Sequence, residues 1–435
     1  MSHGFLFLAL LTLMLSLIVI QSVQASADSW ETKQPMPTPR SSLGVAVVNG
    51  KIYAMGGFPD LNTTEEYDPA TDTWTTKAAM PTPRFNFAVA TYENRIYCIG
   101  GMTAKRQGYG ANYTGAIEVY DPATDTWESK SPMPIPRMQL EANVVSGKIY
   151  LIGGRTGGQY STVTLNEIYD PVSESWTTKS PMQFPVIQYA SAVVGNKIYV
   201  FGGQDEFAKP MNLAVNQIYD TATDTWDLGV PIPNAVWLSA ADATAGVLGP
   251  ERIYLIGGQP VDSGGNTNIV QVYNPETDSW NTAAPMPTGR FEHALAVVND
   301  RFYAIGGTTH YITPNEEAKV AENEMYTPIG FGASQATTSP SPSTLPTALP
   351  TSPSPSTSQT PSPSESPTAS HTPTPTPTLA PSSSPSISQQ PPTSRQEIQT
   401  PIFNIETLVV IAVAASAIVV AAALLALLKR SKGKT

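Results

Sequence analysis

An all-β fold, a ring of six four-stranded blades closed by an N-terminal strand, is predicted by three features of the chain. The first is a repeat. Double glycines fall at Gly56-Gly57, Gly100-Gly101, Gly153-Gly154, Gly202-Gly203, Gly257-Gly258 and Gly306-Gly307, and each is followed by a tyrosine: Tyr67, Tyr120, Tyr169, Tyr219, Tyr273 and Tyr326. The second is the apolar pattern inside each copy, which has period two and not the 3.6 of a helix. The third is the division of one copy between the two ends of the repeats. The first five tyrosines are followed by Trp74, Trp127, Trp176, Trp226 and Trp280 and the sixth by none, while Trp30 stands alone before the first copy. Six copies of four short strands read as the blades of a β-propeller, and a strand lent from the other end of the domain closes such a ring.

The segments follow in order. Phe5 to Ile20 is almost wholly apolar and leads to Ala25-Ser26-Ala27, the pattern of a signal peptide over residues 1–27, so the mature chain is expected to begin at Asp28. No Lys or Arg precedes the apolar run, which leaves an uncleaved anchor as the alternative. Residues 28–330 hold the repeats. Residues 331–400 are dominated by Ser, Thr, Pro, Ala and Gln, a composition that cannot bury a core and predicts a disordered stalk. At ~3.1 Å per residue such a stalk reaches on the order of 200 Å when extended, and its Ser/Thr/Pro content suits O-glycosylation. Leu408 to Leu428 carries no charge; at ~1.5 Å per residue it spans ~31 Å, enough for one transmembrane helix. The tail, residues 429–435, holds Lys429, Arg430, Lys432 and Lys434 and is expected to stay in the cytoplasm. The expected location is the cell membrane, single-pass, with the propeller outside.

Charge narrows the partners. The formal net charge is −11, and residues 28–330 hold 19 Lys/Arg against 32 Asp/Glu. A nucleic-acid partner is excluded, because it requires a basic footprint. The single cysteine, Cys98, lies in the apolar strand RIYCIGG and reads as a small buried hydrophobe.

Within a copy, VAVVNGKIYAMGG is a strand, an Asn-Gly hairpin turn and a second strand. EEYDPATDTW is a strand, a turn rich in Asp, Pro and Thr, and a fourth strand carrying the Trp. These are strands a to d, outward from the axis. The glycine pairs let backbones approach closely at the end of strand b, the Tyr and Trp supply apolar area between blades, and Asp pairs such as Asp68 with Asp72 are expected to stabilise turns.

The order Arg, double Gly, Tyr-Asp, Trp, repeated six times between Asp28 and about Ile329, resembles the kelch repeat. The resemblance implies a six-bladed kelch propeller in which Trp30 gives the outer strand to the blade ending at Tyr326. Copies four and five depart from the pattern, with Val186 and Val236 in the arginine position, and copy five has AGVLGPER in place of a tight turn.

Strands alternate in direction, so the b–c loops and d–a connections emerge together. The b–c loops are long and unlike one another, which places recognition on this loop face rather than on the opposite turn face. Counting from the arginine position, the second, fourth and sixth residues of strand a are expected to share a side. There Asn86, Gln139, Gln188, Glu292, Glu141 and Asp242 interrupt an otherwise small-residue pattern. With Arg40, Arg84, Arg137 and Arg290 they are the candidate binding residues at the mouth of a central channel, although the arginines equally suit tying blades through backbone carbonyls. A buried Glu141 requires a partner or water. Sequons at Asn62 and Asn112 fall in b–c loops and are candidate glycosylation sites.

Some kelch proteins are copper oxidases resembling galactose oxidase, a chemistry needing two His and a Cys that crosslinks to Tyr. Here His293 and His310 both lie in copy six and Cys98 in copy two, so no cofactor and no metal site is expected. Exported N-acetylneuraminate epimerases are six-copy kelch rings too, and that similarity implies acid/base work by Glu141 with Arg137. The expected function is a non-catalytic surface module that binds an extracellular protein or glycan through the loop face and holds to the membrane by one C-terminal helix. The alternative is a carbohydrate enzyme of the epimerase kind.

Overall fold

The computed structural model describes residues 28–332, except 104–111, 158–160, 206–212, 261–264 and 314–315. All of these belong to the first of two compact units, Met1–Ser343. The expected signal peptide, membrane span and basic tail, and all of the expected stalk but Phe331 and Gly332, lie outside the described residues, among which no helix is long and apolar enough to cross a membrane.

Six four-stranded antiparallel sheets form the blades. In blade one the strands are Gly44–Val48, Lys51–Met55, Thr64–Asp68 and Thr73–Lys77. Strand a turns into strand b through Asn49 (φ 51°) and Gly50 (φ 75°), the type I′ geometry that matches strand twist. The innermost strands lie side by side around the axis, and Ala294–Val298 of blade six returns to Gly44–Val48 of blade one. The ring closes as the divided copy predicts. Ser29–Lys33 pairs antiparallel with Asn323–Thr327, with Trp30 opposite Tyr326 as Trp74 is opposite Tyr67.

The double glycine is where one blade meets the next. Gly56 and Gly57 both have positive φ. The Gly57 N–H donates to the carbonyl of Arg84 in the following blade at 2.9 Å, and a Cβ on Gly56 would stand 2.6 Å from that same oxygen. Both conditions select glycine. Gly307 repeats the bond across the seam, to the Arg40 carbonyl.

Tyr, Trp and the second Asp form a clamp between blades. The Tyr67 hydroxyl donates to Asp72, whose carboxylate also accepts from the Gln34 N–H, while the Trp74 indole donates to the Gln34 carbonyl at 2.9 Å. At the seam Asp28 takes the place of Asp72. It accepts from the Tyr326 hydroxyl and from the Ala284 N–H, and the Trp30 indole donates to the Ala284 carbonyl. The expected role of the Asp pairs therefore divides. The first caps its turn, as Asp68 does at Ala70 N–H; the second joins neighbouring blades. Blade three is the exception: Glu174 replaces the Asp, and the Tyr169 hydroxyl and Trp176 indole are buried without partners.

Candidate functional site

The four arginines sit inside the blades. Arg40, Arg84, Arg137 and Arg290 are each 0 % exposed. Arg40 pairs with Glu65 at 2.8 Å, Arg84 with Glu118, Arg137 with Glu167 at 2.6 Å and Arg290 with Glu324 at 2.8 Å, each within its own blade. Other guanidinium donors reach backbone carbonyls of the same blade, such as Ala54 from Arg40 and Gly153 from Arg137, while the Nε of Arg40, Arg137 and Arg290 is buried without a partner among the described residues. This corrects the expectation that they line the channel mouth, and it separates Arg137 from Glu141. Burial pulls Arg40, Arg137 and Arg290 below the ordinary arginine range, against the opposing pull of the facing carboxylates.

Sequence reasoning missed these partners, although the signal was present. In blades four and five, where valine replaces arginine, the facing glutamate becomes Gln217 and Gln271. Each amide then grips the d–a connection directly. Gln217 accepts from the Phe184 N–H and donates to the Phe184 carbonyl, and Gln271 does the same at Asn234. Charge is removed from both members of the pair together, which avoids a buried unpaired carboxylate.

The second residue after each arginine position does not continue strand a. Ser42, Asn86, Gln139, Gln188, Leu238 and Glu292 all have φ between 50° and 55°. The chain kinks there, after a bridge such as Phe85 to Met102, and strand a begins only at the fourth position. The kink has a purpose visible in the backbone. Each of these N–H groups donates to the carbonyl of its counterpart in the preceding blade: Asn86 to Ser42, Gln139 to Asn86, Gln188 to Gln139, Leu238 to Gln188, Glu292 to Leu238 and Ser42 to Glu292, at 2.9–3.4 Å. The six bonds form a closed belt around the channel mouth.

Beneath the belt lie two small cavities of about 90 and 130 Å³, lined in part by Gln139, Gln188, Glu141, Tyr189 and His293. The Tyr189 hydroxyl accepts from the Glu141 N–H at 3.1 Å and donates to the Ile152 carbonyl. Glu141 occupies a strand position held by glycine or alanine in the other five blades, and its side chain is exposed. The solvent it meets is that of a narrow channel crowded by the walls, and this desolvation lifts its carboxyl to about 8. His293 is 6 % exposed, both ring nitrogens lack partners, and burial followed by the nearby Arg290 charge lowers it to about 3, so it is neutral at neutral pH. A larger cavity of about 550 Å³ opens on the turn face and includes Asp242. Among the described residues no three His, Cys, Asp or Glu side chains gather as a metal site would require. Asn112 is exposed and Asn62 half-buried, both on the loop face.

Glu141 sets a pH dependence. Its folded pKa lies above the ordinary 4.5, so the native state holds the proton more tightly and stability falls as pH rises from about 4.5 to about 8. Thermal unfolding midpoints of the protein are expected to drop across this window more steeply than those of Glu141→Gln. Parallel curves would show that Glu141 does not titrate in this way.

A six-bladed propeller whose blades are joined at double glycines and by Tyr-Trp-Asp clamps defines a class, and the comparisons agree with it. The model of the KLHDC2/KLHL20/DRC7 Kelch-repeats domain matches residues 13–154 and 139–326. The chain belongs to the kelch-repeat family. It is 29 % identical to Kelch-like protein 26 of Danio rerio over 244 residues, 53 % of this chain and 39 % of that protein. Against Kelch-like protein 7 of Rattus norvegicus it is 48 % identical over 150 residues, 32 % of this chain and 25 % of that protein. The chain thus spans well under half the length of these curated relatives. A solved structure titled "Structure of YjhT" matches with a TM-score of 0.58 and 17 % identity, over 67 % of this chain and 96 % of that one, a likeness of fold. Kelch domains generally mediate protein binding.

Proposed function

We propose that the protein is a cell-surface binding module that presents its propeller on a stalk and binds an extracellular protein or glycan through the loop face. The observation that carries this reading is where the ring lets the chain go. Strand d of the sixth blade begins, and strand c ends, on the turn face. There the Gly332 N–H donates to the Leu248 carbonyl and Arg301 stacks on Phe331. Gly332, the last described residue, is thus held on the turn face, and the loop face is left clear of the point where the described chain ends. Ile135, Phe184 and Tyr311, 39 %, 41 % and 44 % exposed, give the loop face apolar anchors of the kind interfaces use.

The test compares the two faces. Immobilised full-length protein carrying Ile135→Asp, Phe184→Asp and Tyr311→Asp together is expected to lose its glycan-array or extracellular-protein signal by about tenfold or more, while Val172→Asp on the turn face leaves it intact. Equal loss from both variants, or none from the triple, overturns the reading. The enzymatic alternative is favoured by one feature, a Glu141 carboxyl in the channel that desolvation raises to about 8, into the range of a general acid or base at neutral pH. It requires stereospecific solvent-proton exchange into N-acetylneuraminate that disappears in Glu141→Gln. It is weakened by the linings of the cavities around Glu141, in which no Lys or Arg stands among the described residues to hold a sugar acid.

A further inference from the structure

We infer that the cavity on the turn face is a binding site for a primary alkylammonium ion, a cationic head on a short aliphatic stem. Size separates this cavity from those beneath the belt. Its volume of about 550 Å³ falls within the ~300–1,000 Å³ of small-molecule pockets, whereas the cavities beneath the belt, at about 90 and 130 Å³, fall well below it. Its apolar walls include Val45, Val47, Leu295 and Val297 from the innermost strands of blades one and six, and Leu248 from the blade-five insert.

Among its described lining residues two side chains are carboxylic, Asp242 and Asp300. Asp300 is 2 % exposed and spent. It accepts the N–H groups of Ala245, Val247, Leu248 and Gly249 at 2.5–3.2 Å. Those bonds fix the insert AGVLGPER, absent from the other blades, as a preformed wall. Asp242 is not spent. It accepts one bond, from the Ala243 N–H at 2.8 Å, and has no ion pair among the described residues. Ala46, Ala90, Ala192 and Ala296 fill the equivalent position in four blades, so packing does not call for a carboxylate there. Desolvation, only partly offset by the Ala243 bond, pushes Asp242 up to about 6, the mark of a carboxylate short of a cation. An ammonium group supplies that cation, the apolar walls take its stem, and the acidic ring draws cations toward it.

The test is titration calorimetry of the full-length protein at neutral pH with butylammonium, methylammonium and n-butanol. Saturable butylammonium binding is expected, with methylammonium weaker by about tenfold or more for the lost methylenes and n-butanol weaker by a similar factor for the lost charge. Asp242→Asn is expected to weaken butylammonium binding about tenfold without lowering the unfolding midpoint. Leu248→Ser, at a partly exposed position outside the core, is expected to narrow the butyl-to-methyl difference, and this arm decides the matter should Asp242→Asn fail to fold. Butanol binding as tightly as butylammonium, an unaltered Asp242→Asn, an unchanged butyl-to-methyl difference in Leu248→Ser, or no saturable butylammonium binding each overturns the assignment. Because this site lies on the face opposite the anchors Ile135, Phe184 and Tyr311, its failure leaves the proposed surface function standing, and the converse holds.

Discussion

Arg137→Val is expected to destabilise the propeller by about 3–5 kcal/mol, the cost of leaving the buried Glu167 carboxylate without its cation. The guanidinium is 0 % exposed and Glu167 is 6 % exposed, so water cannot replace it. The protein also contains the remedy. Blades four and five carry the pairs Val186 with Gln217 and Val236 with Gln271, and there the glutamine amide holds the d–a connection by two bonds. Arg137→Val with Glu167→Gln is therefore expected to recover most of the loss. Denaturant unfolding of wild type, both single variants and the double variant completes a double-mutant cycle. A double variant no more stable than Arg137→Val would show that the charge pair and the amide are not interchangeable.

Deleting Asp28–Lys33 is expected to cost more than 5 kcal/mol and to approach the whole margin of a folded domain, which is about 5–15 kcal/mol. The deletion removes a five-residue ladder against Asn323–Thr327. It also removes the Trp30 ring that lies 5.1 Å from Tyr326, and both ends of the Asp28 clamp. At about 1 kcal/mol per lost hydrogen bond and 1.5–3 kcal/mol for a large buried side chain, the sum reaches that range. Asp28→Ala isolates the clamp and is expected to cost about 1–3 kcal/mol, because it leaves the Tyr326 hydroxyl and the Ala284 N–H unsatisfied. A melting curve unchanged by the deletion would mean that the ring does not depend on this strand.

The fold was legible because each of its requirements is local and repeated. Period-two apolarity, Asn-Gly at the hairpins, glycine where a neighbouring carbonyl stands 2.6 Å from a would-be Cβ, and a tryptophan displaced to the N-terminus all point to one ring. The site was less legible, for two reasons. Side-chain alternation assumes an unbroken strand, and the left-handed residues Ser42 to Glu292 break it, so only the fourth and sixth positions, with Glu141 and Asp242, continue into strand a. The arginines misled because a charged residue in a repeat reads as a functional group until its partner is found. The partner lies 25 to 34 residues away, and only the parallel change of Arg to Val and Glu to Gln betrays it. The cavity on the turn face depends on an eight-residue irregularity in one copy folding over Asp300, which no periodic reading anticipates.

The belt at the channel mouth gives the molecule a partition. All six of its bonds run in the same sense, and none has a free end at which widening could start. Spreading one blade from its neighbours breaks at least one of them, at about 1 kcal/mol each before packing is counted. The aperture is consequently fixed at the size the backbone allows. The belt thus stands as a fixed backbone constriction between the loop face and the cavity on the turn face.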